Sequence, residues 1–170
     1  MSVACTLSSQ AFSPTFQTKL YTMDTSMIVY RVLRPDENPE CLTANNPFAF
    51  MFTVFDHVSN GNLSTQFIST CKSKAAVMDF AEKGKYFPTG LRKIVSINLT
   101  KLMQLVPRCE IIDLTLPGVL NSYIPDTWSG VNSRARNFAT KFQEVLIKLP
   151  VIQITPVRIP AECVAVIGYV

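Results

Sequence analysis

The run Met27–Leu33, "MIVYRVL", is apolar at every position except Arg31, and Pro35 closes it. A run without alternation predicts a central strand, covered by other parts of the chain on both faces. Such a strand needs packed layers around it, and it leaves Arg31 as a problem. A guanidinium inside an apolar strand needs an anionic partner or a route to water. Two answers are open at this point. Arg31 snorkels out or pairs with an Asp or Glu, or its planar fork receives a phosphate.

The rest of the chain is read in the same way. "TQFISTCKSKAAVMDFAEKG" predicts a short strand from Gln66 to Thr70, an N-cap at Ser73, a helix over 74–83 and a stop at Gly84. Val95, Ile97 and Leu99 alternate with Ser96 and Asn98, which predicts a half-buried strand, and Thr100 is a candidate cap for a short helix ending before Pro107. "CEIIDLTLP" reads as another strand, and "QEVLIKLP", "VIQITPVRIP" and "ECVAVIGYV" as three closing strands. "FMFTVFDHV" fits a short helix or a strand equally. "NSYIPDTWSGVNSRARNFATKF" is polar and punctuated, and reads as a long loop of the kind that carries function. Strands dominate and do not alternate regularly with helices, so a doubly wound α/β fold is disfavoured. The expectation is an α+β domain on a strongly twisted antiparallel or mixed sheet, or on two packed sheets, with a few short helices. One domain is expected over 27–170, preceded by a Ser/Thr-rich arm or targeting segment over 1–26.

Composition narrows the function classes. With 170 residues, 48% hydrophobic and 16% charged, the chain has the material for a real core and is not of disordered type. A net charge of +4 suits an anionic ligand without specifying nucleic acid. No apolar run approaches the length of a membrane span. Cys5, Cys41, Cys71, Cys109 and Cys163 are scattered and odd in number, as reduced thiols of a cytosolic protein would be. His57 is the only histidine, which disfavours a metal centre and a His-based triad. The N-terminus lacks the pattern of an ordinary secretory signal, and the Asn-x-Ser/Thr patterns at Asn62 and Asn98 matter only in a secretory compartment.

Two further places stand out. Ser69 and Thr70 close the strand "QFIST"; their hydroxyls serve turn and cap chemistry, or they orient a polar ligand or a nearby carboxylate. Glu144 opens the apolar run of "KFQEVLI", either as a solvated strand-start carboxylate or as a group the protein uses.

Taken in order, "YR" in "IVYRVL", "FISTCKS" and "QEVLI" resemble the three signature elements of the mono-ADP-ribosyltransferases of the Arg–Ser–Glu class. The resemblance covers about residues 27–168. It implies an ADP-ribosyltransferase-like fold with an NAD cleft between its sheets, NAD as substrate and no metal. Glu144 would be catalytic, with Ser69 positioning it. NAD contacts would come from Arg31, Tyr30, Ser69, Thr70 and His57. The segment before Glu144, with Trp128, Arg134, Arg136, Phe138, Phe142 and Gln143, would face a macromolecular acceptor, protein or nucleic acid. A monomer is expected, acting in a cytosol, that of a host included if the chain is a secreted effector or toxin. Two positions depart from the family pattern. Cys71 stands at the third position of the Ser-Thr-Ser element. Phe142 stands two before Glu144, where the family usually has a Glu or Gln that selects the acceptor. The alternatives are an NAD glycohydrolase or an RNA 2′-phosphotransferase-like enzyme, and a catalytically inactive fold that only binds.

Overall fold

The computed structural model describes residues 27–61, 63–83, 91–126 and 130–170. The arm over 1–26, the stop at Gly84, Asn62 and Trp128 lie outside the described residues. In chain order the elements are β1 (Ile28–Val32), α1 (Val54–Ser59), β2 (Phe67–Cys71), α2 (Lys74–Lys83), β3 (Lys93–Asn98), α3 (Leu99–Leu105), β4 (Glu110–Asp113), α4 (Pro117–Tyr123), α5 (Gly130–Lys141), β5 (Glu144–Lys148), β6 (Val151–Ile152), β7 (Thr155–Pro156) and β8 (Val164–Tyr169). Among the described residues no helix is long and apolar enough to cross a membrane.

The fold is α+β, built on one curled antiparallel sheet of six strands in the order β4-β5-β2-β1-β3-β8. The small β6-β7 hairpin stands apart from it. Two large packed sheets are therefore not what the described residues form, and every strand pair among them is antiparallel. The six strands nonetheless fall into two halves. β2 and β5 share five register pairs, and β1 and β3 share five. β1 and β2, which join the halves, share only Tyr30↔Cys71. The ladder is nearly open there, and side chains from both halves meet across the joint.

Both faces of the central strands are covered, as the run Met27–Leu33 predicts. On β5, Val145 and Ile147 pack with Val29, Ile68, Val95 and Ile97 on one side. Leu146 packs on the other with Val54, Val58, Ala135 and Ala139. Burying each such aliphatic side chain contributes about 1.5–3 kcal/mol. A third cluster, of Val32, Cys71, Val77, Ala81, Ile94 and Phe142, seats α2 beside the joint.

Three sequence readings change. The polar stretch before Glu144 is not a long loop: it contains the end of α4 and the twelve-residue helix α5. Ala135 and Ala139 are its buried residues, a narrow stripe of small side chains at i and i+4 that the surrounding Arg, Asn and Ser residues mask. "VIQITPVRIP" forms only a two-residue hairpin, whose tip holds Gln153 and Ile154 at φ 47° and 63°. The cap of α3 is Asn98, whose side chain accepts from Lys101 N, rather than Thr100.

Candidate active site

Gln143 decides where Glu144 points. At the end of α5, Phe142 N still donates to Phe138 O at 3.0 Å, and Gln143 N turns back to Thr140 O at 3.2 Å. Gln143 has φ 49°, the left-handed conformation that ends helices and favours glycine. The chain reverses there and β5 starts immediately at Glu144. Gln143 itself is exposed, while its carbonyl accepts from Lys72 N at 2.8 Å, fixing the turn to the end of β2.

Glu144 is 4% exposed. Its Oε1 accepts a hydrogen bond from Ser69 Oγ at 3.0 Å, and its Oε2 is buried with no partner among the described residues. Burial pushes its carboxyl up to about 7, against a partial pull downward from the Ser69 bond. The carboxylate therefore belongs to neither of the ordinary cases, a solvated strand start or a paired internal charge.

Ser69 is held from its other side by His57. The capping box of Thr53 and Asp56 starts α1, and α1 carries His57 toward β2. His57 Nε2 lies 2.7 Å from Ser69 Oγ, and Nδ1 lies 2.6 Å from Thr65 Oγ1. The pattern assigns the tautomer. With Glu144 ionised, Ser69 Oγ gives its proton to Oε1 and so accepts from Nε2–H, which leaves Nδ1 to accept from Thr65 Oγ1. Burial, and secondarily the Arg31 charge, lower the His57 pKa to about 4, so the ring is neutral at physiological pH. His57 is thus linked to Glu144 by hydrogen bonds through a serine hydroxyl. Its partners lie eight and twelve residues away on other elements, which no local spacing reveals.

Arg31 reaches the joint from β1. Nη1 donates to Ser69 O at 2.6 Å, in the stretch where β1 and β2 share no ladder pair. Nη2 pairs with Glu37 Oε1 at 2.8 Å, and Nε is buried with no partner among the described residues. Of the two sequence answers for Arg31, the structure holds the pairing with a carboxylate. Glu37 was hidden in a turn-rich connection.

These groups border a cavity of about 540 Å³ at the joint, a size typical of small-molecule sites. Arg31, Arg34, His57, Ser69 and Glu144 form its polar side, and Tyr30 and Cys71 also line it. Phe80, Phe138 and Phe142 are among its apolar lining. The three rings meet edge to face, with Phe142 centred 5.3 Å from Phe80 and 4.8 Å from Phe138. Phe142 is 2% exposed and packs in this wall at the turn after α5, not on a long loop. Burial pushes the Cys71 thiol up to about 12, with Glu144 adding to the shift, so it is an un-ionised filler.

The remaining sequence candidates divide. Thr70 lines the cavity, but its hydroxyl donates to Val145 O at 2.5 Å and locks β2 to β5. Arg134 is exposed, with Nε near Gly130 O at 3.3 Å. Arg136 Nη1 donates to Ile124 O at 2.5 Å, at the end of α4. Neither arginine, nor Gln143, lines the cavity. Among the described residues no group of three or more His, Cys, Asp or Glu side chains is placed to hold a metal ion. No protein-family model matches the chain, and no curated protein matches it.

Proposed function

We propose that the chain is an NAD-dependent mono-ADP-ribosyltransferase with an ADP-ribosyltransferase-like fold. The observation that carries this reading is Glu144: a buried carboxylate with one oxygen held by Ser69 and the other bare, bordering a cavity that Arg31 also enters. An unpartnered buried carboxylate is costly unless a ligand completes it. The cavity suits a dinucleotide in character, with arginines for phosphate and aromatic rings for flat groups in its lining.

The chemistry follows from the groups present. The bond between ribose C1′ and nicotinamide breaks, and its electron pair leaves with nicotinamide. Positive charge builds on the ribose as an oxocarbenium-like species. Ionised Glu144 stabilises that charge, while Ser69 and His57 keep the carboxylate fixed. An acceptor nucleophile then bonds to C1′ and loses its proton. Phe142 supplies no carboxylate or amide to orient a guanidinium, so free arginine analogues are expected to be poor acceptors. The same residue favours a second reading, in which water is the acceptor and the enzyme is an NAD glycohydrolase.

Labelled NAD incubated with the protein and a cell lysate separates the possibilities. Nicotinamide release with label on a macromolecule supports the transferase. Release without labelling supports the hydrolase. Binding without release, equal in wild type and Glu144→Gln, would mean a binding module and overturn the enzymatic reading.

A further inference from the structure

Arg34, Pro35, Asp36 and Glu37 form a turn directly after β1. Proline suits its second position, and Glu37 N donates to Arg34 O at 3.0 Å. The Glu37 side chain folds back over this turn. Its Oε2 accepts from Arg34 N at 2.8 Å. Its Oε1 meets Arg31 Nη2 at 2.8 Å and Arg34 Nη2 at 3.3 Å. One carboxylate, with its side chain 8% exposed, thus ties two guanidinium groups and a backbone N–H. Arg31, Arg34, Pro35 and Asp36 border the cavity, and Glu37 does not. It stands behind the arginines as seen from the cavity.

We infer that Glu37 is a positioning residue that presents Arg31 and Arg34 together as a two-guanidinium cradle for the anionic, diphosphate part of the ligand. The inference rests on the reading of this cavity as a dinucleotide site. Two long cationic side chains left free would each lose rotamer freedom on binding an anion, and Glu37 removes that cost in advance. The competing role is that of an internal anion that occupies the arginines and must be displaced. Its placement behind them, with both oxygens committed to a rigid turn, argues against that. Asp36 is a better candidate for a displaceable anion: it lies 3.4 Å from Arg34 Nε, is 74% exposed and borders the cavity.

The two roles predict opposite signs. Glu37→Gln removes a negative charge beside two cations, so by Coulomb attraction alone it should tighten anion binding. If Glu37 holds the cradle, binding weakens instead, by about tenfold, the lower end of what losing an orienting partner costs at metal sites. The measurement is calorimetric titration of ADP-ribose and of inorganic pyrophosphate into wild type, Glu37→Gln, Arg34→Lys and Glu144→Gln, with a thermal melt of each. Weaker binding of both ligands by folded Glu37→Gln and Arg34→Lys, with pyrophosphate binding by Glu144→Gln no weaker than wild type, supports the inference. Equal or tighter binding by Glu37→Gln overturns it, as does a wild type that binds neither ligand. If Glu37→Gln does not fold, Arg34→Lys decides alone, since Arg34 is 41% exposed and its loss spares the core. Nicotinamide release by wild type is scored separately. A catalytically active protein with unaffected Glu37→Gln binding refutes the cradle alone.

Discussion

Arg31 on β1 and Glu144 on β5 both border the cavity from largely apolar strands, and the two charges end up in opposite circumstances. Arg31 on β1 is 13% exposed and held at Nη1 by Ser69 O and at Nη2 by Glu37. Glu144 on β5 is more deeply buried, has one hydroxyl donor, and leaves Oε2 bare. Arg31 also joins the two halves of the sheet where their ladder is nearly open, so the fold itself uses it. Glu144 gives the fold little. A carboxamide or an apolar group there would suit a buried strand end better than a carboxyl raised to about 7. The difference separates a charge that folding has accommodated from one that folding tolerates.

The sharpest way to break this comparison is Glu144→Gln. Turnover, read as nicotinamide release, is expected to fall by about 10²–10³-fold or more, as for loss of a group that meets developing charge. The protein should remain folded. Turnover within a few-fold of wild type would return Glu144 to the status of an odd strand residue. In the wild type, activity should rise with pH through about 7, because only the ionised carboxylate stabilises the cation.

The second test concerns stability. The Glu144 carboxyl is raised from 4.5 to about 7, so its contribution to stability is complete below 4.5 and is lost as pH rises to about 7. His57 is lowered from 6.5 to about 4, so its contribution is complete above 6.5 and is lost as pH falls toward 4. Between 4.5 and 6.5 the two slopes oppose and nearly cancel. Each mutant should expose one of them. The stability of Glu144→Gln relative to wild type is expected to rise by about 3 kcal/mol from pH 4.5 to 7, and that of His57→Gln relative to wild type to fall by a similar amount from pH 4 to 6.5. Urea titrations across this range check both signs. Parallel curves for all three proteins would mean that neither group is buried as described.

How much of this was legible in the sequence depends on whether a signal was local. β1, β2, α2 and β5 were readable because apolar runs, the Ser73 cap and flanking turns lie within a few residues of each other. The positions of Arg31, Ser69 and Glu144 were readable for the same reason, as single polar residues in or beside strands. α5 was not, because only small buried residues, Ala135 and Ala139, mark its inner face, and a helix with so weak a stripe looks like a polar loop. The packing of Phe138 and Phe142 against Phe80 of α2 was hidden along with it, because it depends on α5 being a helix. His57 with Thr65 and Glu37 with Arg31 and Arg34 were invisible for another reason. Each lies within eight residues of its partner, but the pairing depends on a turn and a short helix that no apolar pattern marks.

A third test returns to Arg31. Arg31→Lys keeps the charge but cannot reach Ser69 O and Glu37 together, because an ammonium lacks the fork. Affinity for ADP-ribose by calorimetry should drop by about tenfold, and stability by about 1–3 kcal/mol as Glu37 or Ser69 O loses its partner. Unchanged values of both would show that the joint between β1 and β2 does not depend on the guanidinium.

The smallest expected effect is at Gln143, the residue that joins the aromatic wall to β5. Its φ of 49° costs a residue with a Cβ about 1–2 kcal/mol, which glycine does not incur. Glycine loses more chain entropy on folding, by about 0.4–1 kcal/mol, so the net gain for Gln143→Gly should be about 0.5–1 kcal/mol. Gln143→Ala keeps the strain and should melt close to wild type. The side chain is exposed and lies outside the cavity lining, while the backbone bonds to Thr140 O and from Lys72 N survive either change. Nicotinamide release and label transfer should therefore stay within about twofold in both variants. A tenfold loss of transfer in a stable Gln143→Gly protein, with nicotinamide release intact, would restore Gln143 as an acceptor-facing residue. The turn would then be kept in its strained form for the glutamine it displays, and not only for the glutamate that follows it.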